Sequence, residues 1–352
     1  MAILNPEKFG KVVLQKGFFE FMDKIRSTKI ELPVYPEVRS GVFVFEDWTD
    51  GAKVVPDDEE RSKFSYPLDI KHGYEVYASQ KTLISAYDES IAKYSALEGK
   101  AVLVSHSLVS MHGDNYHTIN ELRMMFLTAS KKLRDKIPGA IAPKEWGIDA
   151  TANVEIAKQK KEFLENHSIE NSILLIDGPF LAGDGMATFN RIVGETFIKR
   201  NIVPVFVVKN SNSSLLVNTI AEFKDEYNSD LHLANDLLKE GCRSRFYRYT
   251  DDRNPIDNAK LFCYVKVKKH ASPIRIEFPA RIYDKNRDAI RSIMDLIYYL
   301  VIVQGDPHNL QVRPIAIAEK YARETLSLIN FNKSMIYSEL TATMNETRGM
   351  EF

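Results

Sequence analysis

Short aliphatic runs alternate along the chain with longer mixed stretches, a pattern that predicts an α/β fold. The clearest run is Ser172-Ile173-Leu174-Leu175-Ile176-Asp177-Gly178, which reads as a buried strand delivering a carboxylate to its own carboxyl end. Further strands are predicted over residues 41–45, 74–78, 101–107 and 202–208, and over 260–267 and 274–278, the last two joined as a hairpin. Helical spacing of apolar positions predicts helices over about 6–27, 80–97, 119–135, 187–200, 215–227, 231–239 and 288–303. Another helix follows Asp149, carrying Val154, Ile156, Phe163 and Leu164, and a last one starts near Pro314. The polar residues 56–72 read as a surface excursion.

The succession 172–177, 187–200, 202–208 is a βαβ unit, whose crossover implies a parallel strand pair. Asp177 and Lys209 then occupy equivalent strand ends, where chemistry collects in open α/β sheets. An Asp-Gly turn is the structural alternative for Asp177.

With 352 residues, 44% of them hydrophobic and 27% charged, the composition is that of a globular protein with a substantial core. A net charge of −1 gives no global signature of a polyanionic partner and leaves room for a local basic groove. Two cysteines exclude a disulfide framework and a Cys-rich zinc site. The amino terminus has no signal-peptide pattern and no apolar run spans a membrane, so the expected location is cytoplasmic.

Acids converging at strand ends suit Mg²⁺ or Mn²⁺, which prefer oxygen ligands. Phosphate-loop, Gly-x-Ser-x-Gly and His-Glu-x-x-His patterns are all missing. Arg243, Arg245 and Arg248 interleave with Phe246, Tyr247 and Tyr249, which reads either as a phosphate-contacting strand or as a half-buried strand with a basic face. His106, His112 and His117 fall close together, with no zinc-motif spacing.

In order over about 150–330, the chain has an acid-bearing helix and Ile176-Asp177-Gly178-Pro179, then Val207-Val208-Lys209-Asn210-Ser211 and Ser229-Asp230. Gly241-Cys242-Arg243-Ser244, Arg275-Ile276-Glu277-Phe278-Pro279 and the helix start Pro314 to Glu319 follow. In this order the chain resembles the NurA nuclease family. The resemblance implies an RNase H-like mixed sheet flanked by helices, with additional N-terminal and C-terminal helical elements. It further implies Mn²⁺- or Mg²⁺-dependent hydrolysis of DNA during end processing and repair, a homodimer, and a HerA-type hexameric ATPase as partner. Residues 1–150 would be the N-terminal part of the fold, 151–335 the nuclease core and 336–352 a tail, or the whole one continuous domain.

Carried over by residue, Asp177 and Glu155 would be catalytic and metal-binding, with Glu162 a substitute for Glu155. Lys209, Arg243 and Arg245 would contact DNA. Glu319 stands where the family usually has a metal-binding histidine, and His308 lies nearby. The family's first motif, a strand ending in Asp-Gly-Ser, has no clean copy: Asp50-Gly51 and Asp47 follow one strand, whereas Val104-Ser105-His106-Ser107 resembles that strand end without its acid. Asp50 is taken as the N-terminal ligand. The alternative reading is a catalytically degenerate DNA-binding or scaffolding subunit.

Overall fold

The computed structural model describes residues 17–27, 52–57, 60, 63–79, 81–113, 115–181, 189, 192–220, 223, 224, 226–251, 258–304 and 310–343. The strand expected at 41–45, Asp47, Asp50 and His308 lie outside them. The chain divides into two compact units, residues 1–36 and 37–352. The first contains α1 (Phe18–Ser27), on which Phe19, Phe21 and Ile25 are exposed.

The larger unit is built on one mixed sheet of eleven described strands. In chain order these are β1 (Ala52–Pro56), β2 (Ser65–Pro67), β3 (Leu83–Ser95), β4 (Lys100–His112), β5 (Asn115–Leu127), β6 (Ser172–Asp177) and β7 (Val203–Val208). They continue with β8 (Cys242–Ser244), β9 (Tyr247–Asp251), β10 (Lys260–Lys266) and β11 (Ile274–Pro279). The spatial order is β1-β9-β10-β11-β7-β6-β3-β4-β5, with β8 joining β2 to β10. Only β3–β6 and β6–β7 pair in parallel. The sheet therefore takes strands from both sides of residue 150, and it has the mixed α/β character the sequence pattern implies.

The helices of this unit are α2 (Ile70–Ala78), α3 (Lys131–Arg134), α4 (Ile148–His167), α5 (Asp230–Leu237), α6 (Ala280–Lys285), α7 (Arg287–Gln304), α8 (Arg313–Ser327) and α9 (Phe331–Tyr337). On one face of the sheet α4 packs its Ala152 and Ile156 against Val102 and Val104, and its Phe163 ring against Tyr87 and His106. On the other face α8 lies across β3 and β4, and α9 sets Phe331 and Met335 against Tyr94, Ala101 and Leu103. The central strands β6 and β7 are apolar and almost wholly buried, as expected of parallel strands covered on both faces.

Several local expectations are overturned, each for a physical reason. Residues 83–95 are strand β3 rather than part of a helix over 80–97. Their Ala, Glu and Lys favour a helix, but pairing with both β4 and β6 decides the outcome. Residues 115–127 are strand β5 rather than the helix expected over 119–135; as an edge strand it is mostly half-exposed, so its apolar residues do not alternate strictly.

The strand expected at 74–78 is part of helix α2. Asp69 caps α2 by accepting from the Lys71 and His72 amides, and Gly73 lets it approach α7, since an added Cβ would lie 2.1 Å from the Asp295 carbonyl oxygen. The helix expected over 187–200 is present in its described part, where residues 192–199 are helical and Val193–Phe197 form a π-helical turn. In place of an α-helix, the described residues of 215–227 form turns, with a bridge residue at Ile220 and a 3-10 residue at Phe223. The 243–249 strand is broken at Arg245-Phe246 into β8 and β9.

Candidate active site

The parallel register fixes the geometry. Tyr87 of β3 lies beside Ile176 of β6, so the next residues along, Asp88 and Asp177, stand side by side. Asp177 pairs in register with Val207, two residues before Lys209, so the alternation of a strand puts Asp88, Asp177 and Lys209 on one face. That face is the one α8 crosses, and α8 contributes Glu319. The Lys209 ammonium is 2.7 Å from the Asp177 carboxylate and 3.5 Å from that of Glu319. Gln311 Nε2 donates to Glu319 at 2.5 Å, and Arg323 closes an ion pair with it from the next turn.

The electrostatics single out Asp88. It is 8% exposed. Burial and then the neighbouring Asp177 charge push its pKa up to about 7, with Glu319 adding to the rise and Lys209 opposing it. Its Oδ1 accepts the Glu89 amide at 2.8 Å, which leaves Oδ2 to carry the proton. Burial works against the Glu319 charge too, but Gln311, Lys209 and Arg323 outweigh it and hold the carboxyl below its usual range. The cluster thus holds three carboxyl groups, one of them able to exchange a proton near neutrality.

The residues expected from sequence divide into those brought together and those set apart. Asp177, Lys209 and Glu319 meet. Glu155 is held by Lys158 at 2.6 Å, on helix α4, which packs on the face opposite Asp88. Glu162, on the same helix, pairs with Arg123 at 2.6 Å. Arg243 is gripped by both oxygens of Glu60, at 2.9 and 2.6 Å, with its guanidinium against the Tyr66 and Phe246 rings. Arg245 is 1% exposed. Both arginines are buried, so they do not form a solvent-facing row. Of the three histidines, His106 is buried between Tyr87 and Phe163, and burial lowers its pKa; His112 and His117 are exposed.

Asp88 is the residue that sequence reasoning missed. It precedes Glu89 and Ser90, giving Asp-Glu-Ser where an Asp-Gly-Ser strand end was sought, and β3 runs on for seven residues beyond it. Ser107 lies directly across from Asp88 in the β3–β4 ladder. The acid at this level of the ladder is carried by β3, not by the strand 101–107. The available signal was an acid followed by Glu-Ser inside Leu83-Ile84-Ser85-Ala86-Tyr87-Asp88, once that stretch is read as a strand.

Among the described residues no three His, Cys, Asp or Glu side chains form a ready-made metal-ligand group. The donor chemistry still fits a hard divalent cation. Asp88, Asp177 and Glu319 supply only oxygen; burial, reinforced by the Asp177 and Glu319 charges, keeps Asp88 protonated up to about pH 7, and the repulsive part of that is the kind a cation relieves. The Lys209 ammonium provides part of that neutralisation.

The sequence profile of the NurA domain matches residues 70–324. The crystal structure of the NurA nuclease from Sulfolobus solfataricus superposes with a TM-score of 0.50 at 10% identity, covering 74% of this chain and 86% of that one. A crystal structure of NurA bound to dAMP and manganese gives a TM-score of 0.36 at 10% identity, covering 68% and 85%. No curated protein matches the chain by sequence.

Proposed function

The chain belongs to the NurA domain family, and from that premise we propose that it is a divalent-metal-dependent deoxyribonuclease whose site is Asp88, Asp177, Glu319 and Lys209. The observation that carries the reading is the side-by-side placement of Asp88 and Asp177 on parallel strands β3 and β6, with Lys209 and Glu319 against them. Asp88, Asp177 and Glu319 would hold Mn²⁺ or Mg²⁺. When bound, such an ion supplies positive charge to polarise a phosphodiester and to lower the pKa of water. On holding the ion, Asp88 would give up the proton that burial and the neighbouring Asp177 charge keep on it up to about pH 7. Lys209 Nζ, which pairs with Asp177 and Glu319, would steady the developing charge on phosphate oxygens.

The degenerate reading rested on a missing first aspartate. Asp88 supplies one, which supports the catalytic reading. In keeping with the family resemblance, we propose action on DNA ends in repair, as a cytoplasmic homodimer working with a HerA-type hexameric ATPase. No described helix is long and apolar enough to cross a membrane.

The test is incubation of the purified protein with linear DNA and with RNA of the same sequence, in Mn²⁺, in Mg²⁺ and in EDTA. Cleavage of DNA with Mn²⁺, lost at least 100-fold in EDTA and restored by added metal, is the expected outcome. DNA binding without cleavage in either metal would favour the scaffolding alternative, and preference for RNA would reassign the substrate.

A further inference from the structure

Asp177 and Lys209 project from one face of the sheet, and the chain segments that follow them are tied down on the other. There, Glu277 of β11 is fully buried. Its Oε2 accepts the backbone N–H of Phe180 at 2.8 Å, three residues beyond Asp177. Its Oε1 lies 2.7 Å from Lys260 Nζ and 2.7 Å from Arg275 Nε. Arg275 Nη1 donates in turn to Ser211 Oγ at 2.9 Å and to Ser213 Oγ, in the segment that follows Lys209. Register places Glu277 opposite Phe206 and Arg275 opposite Val208. One buried network thus reaches the exit segments of both strands that carry the site.

Stability alone is a poor reason for such a network. Burying three ions costs desolvation free energy that well-packed apolar residues would not incur. Burial disfavours the Glu277 charge, yet Lys260 and Arg275 outweigh it and hold the carboxyl below its usual range, with the Phe180 amide adding to the effect. The turn so anchored is an unusual one, because Gly178 sits at φ +95° with nothing within 4 Å of where a Cβ would be. Backbone conformation, not space, calls for glycine there. A turn that a side chain would not favour on its own is one that an external anchor has reason to hold.

We propose that Glu277 is a positioning residue for the site: its carboxylate anchors the Phe180 amide and so fixes the Gly178 turn that aims Asp177 at Asp88, while Arg275 fixes the Ser211–Ser213 segment behind Lys209. Neither residue touches the reacting atoms. The kinetic part of the inference rests on the nuclease reading; the anchoring part does not.

Glu277→Gln keeps the side-chain shape and removes the charge. The double variant Glu277→Gln/Lys260→Met also removes the buried ammonium left unpaired, and it serves if the single variant fails to fold. Two quantities are read on whichever variant retains the wild-type circular dichroism spectrum: steady-state cleavage of linear DNA at saturating Mn²⁺, and hydrogen–deuterium exchange of residues 178–181. A fall in kcat of at least tenfold with KM within twofold is expected, together with at least tenfold faster exchange at 178–181 while β6 stays protected. Unchanged kcat and unchanged exchange in a folded variant would overturn the proposal. If the wild-type protein does not cleave DNA, the nuclease reading fails by itself and the exchange measurement alone decides whether Glu277 anchors the turn. Loss of kcat without faster exchange would also count against anchoring.

Discussion

Asp88→Asn should abolish DNA cleavage, by at least 1000-fold in kcat, and at the same time make the metal-free protein more stable at pH 8. The two effects have one cause. Asp88 is buried beside Asp177, and its pKa is pushed up to about 7 from the ordinary aspartate value of 3.8. The folded state therefore holds that proton more tightly than the unfolded chain does. The resulting penalty on folding is fully present above pH 7, where the folded protein must carry the charge, shrinks as pH falls through 7, and is nearly gone by about pH 4. At roughly 1.4 kcal/mol per pKa unit, the full penalty is on the order of 4 kcal/mol. Asparagine keeps the oxygen that accepts the Glu89 amide and carries no charge. Thermal melts in EDTA should show Asp88→Asn melting about 5–10 °C above wild type at pH 8 and close to it near pH 4. A variant that is inactive but also less stable at pH 8 would show that Asp88 is a structural residue. Stabilisation on removing an active-site group is the general signature of a site kept under strain for function.

Asp230→Ala should have the opposite character, a large loss of stability. Asp230 is 0% exposed and accepts the amides of Leu215, Leu216 and Val217 at 2.8, 2.9 and 3.0 Å. It also takes the Tyr264 hydroxyl at 2.8 Å and Ser213 Oγ at 3.2 Å. Burial raises its pKa, against the opposing effect of these donors. Truncation leaves three backbone N–H groups and a buried phenol without their acceptor, at a cost of about 3–5 kcal/mol. A fall in melting temperature of roughly 10 °C is expected. Proteolysis should also open first around 209–217, because Asp230 is what folds that segment. A melting temperature within 2 °C of wild type would mean that water replaces the carboxylate there at little cost.

Asp230 also explains part of what the sequence concealed. Residues 215–227 have helical spacing, but the amides of 215–217 turn to a side chain distant in sequence, and turns form in place of an α-helix. β6, β7, β10, β11, α4, α7 and α8 were legible because each is a long apolar run or a well-spaced amphipathic stretch. β3 and β5 were not. Their residues carry helix propensity, and only pairing with strands far along the chain settles them as sheet. That error hid Asp88, since an acid expected at a strand end was looked for outside a stretch read as helix. Asp177, Lys209 and Glu319 were legible as separate residues, and the sheet brings them together. Arg243 and Arg245 show a second limit: alternation of cations with aromatics looks the same whether the cations face solvent or, as with Arg243, a half-buried carboxylate such as Glu60. Glu155 illustrates the limit of spacing along one chain, because the helix that carries it packs on the face of the sheet opposite Asp88 and Asp177.

The central claim is that Asp88 and Asp177 together form a divalent-cation site. Electron paramagnetic resonance titration of free Mn²⁺ tests it without any assay of activity, using wild type, Asp88→Asn and Asp177→Asn between pH 6 and 8. Wild-type affinity should rise across that range as Asp88 gives up its proton, and each substitution should weaken binding at pH 8 by at least tenfold. Mn²⁺ affinity that is the same in all three proteins would contradict the account.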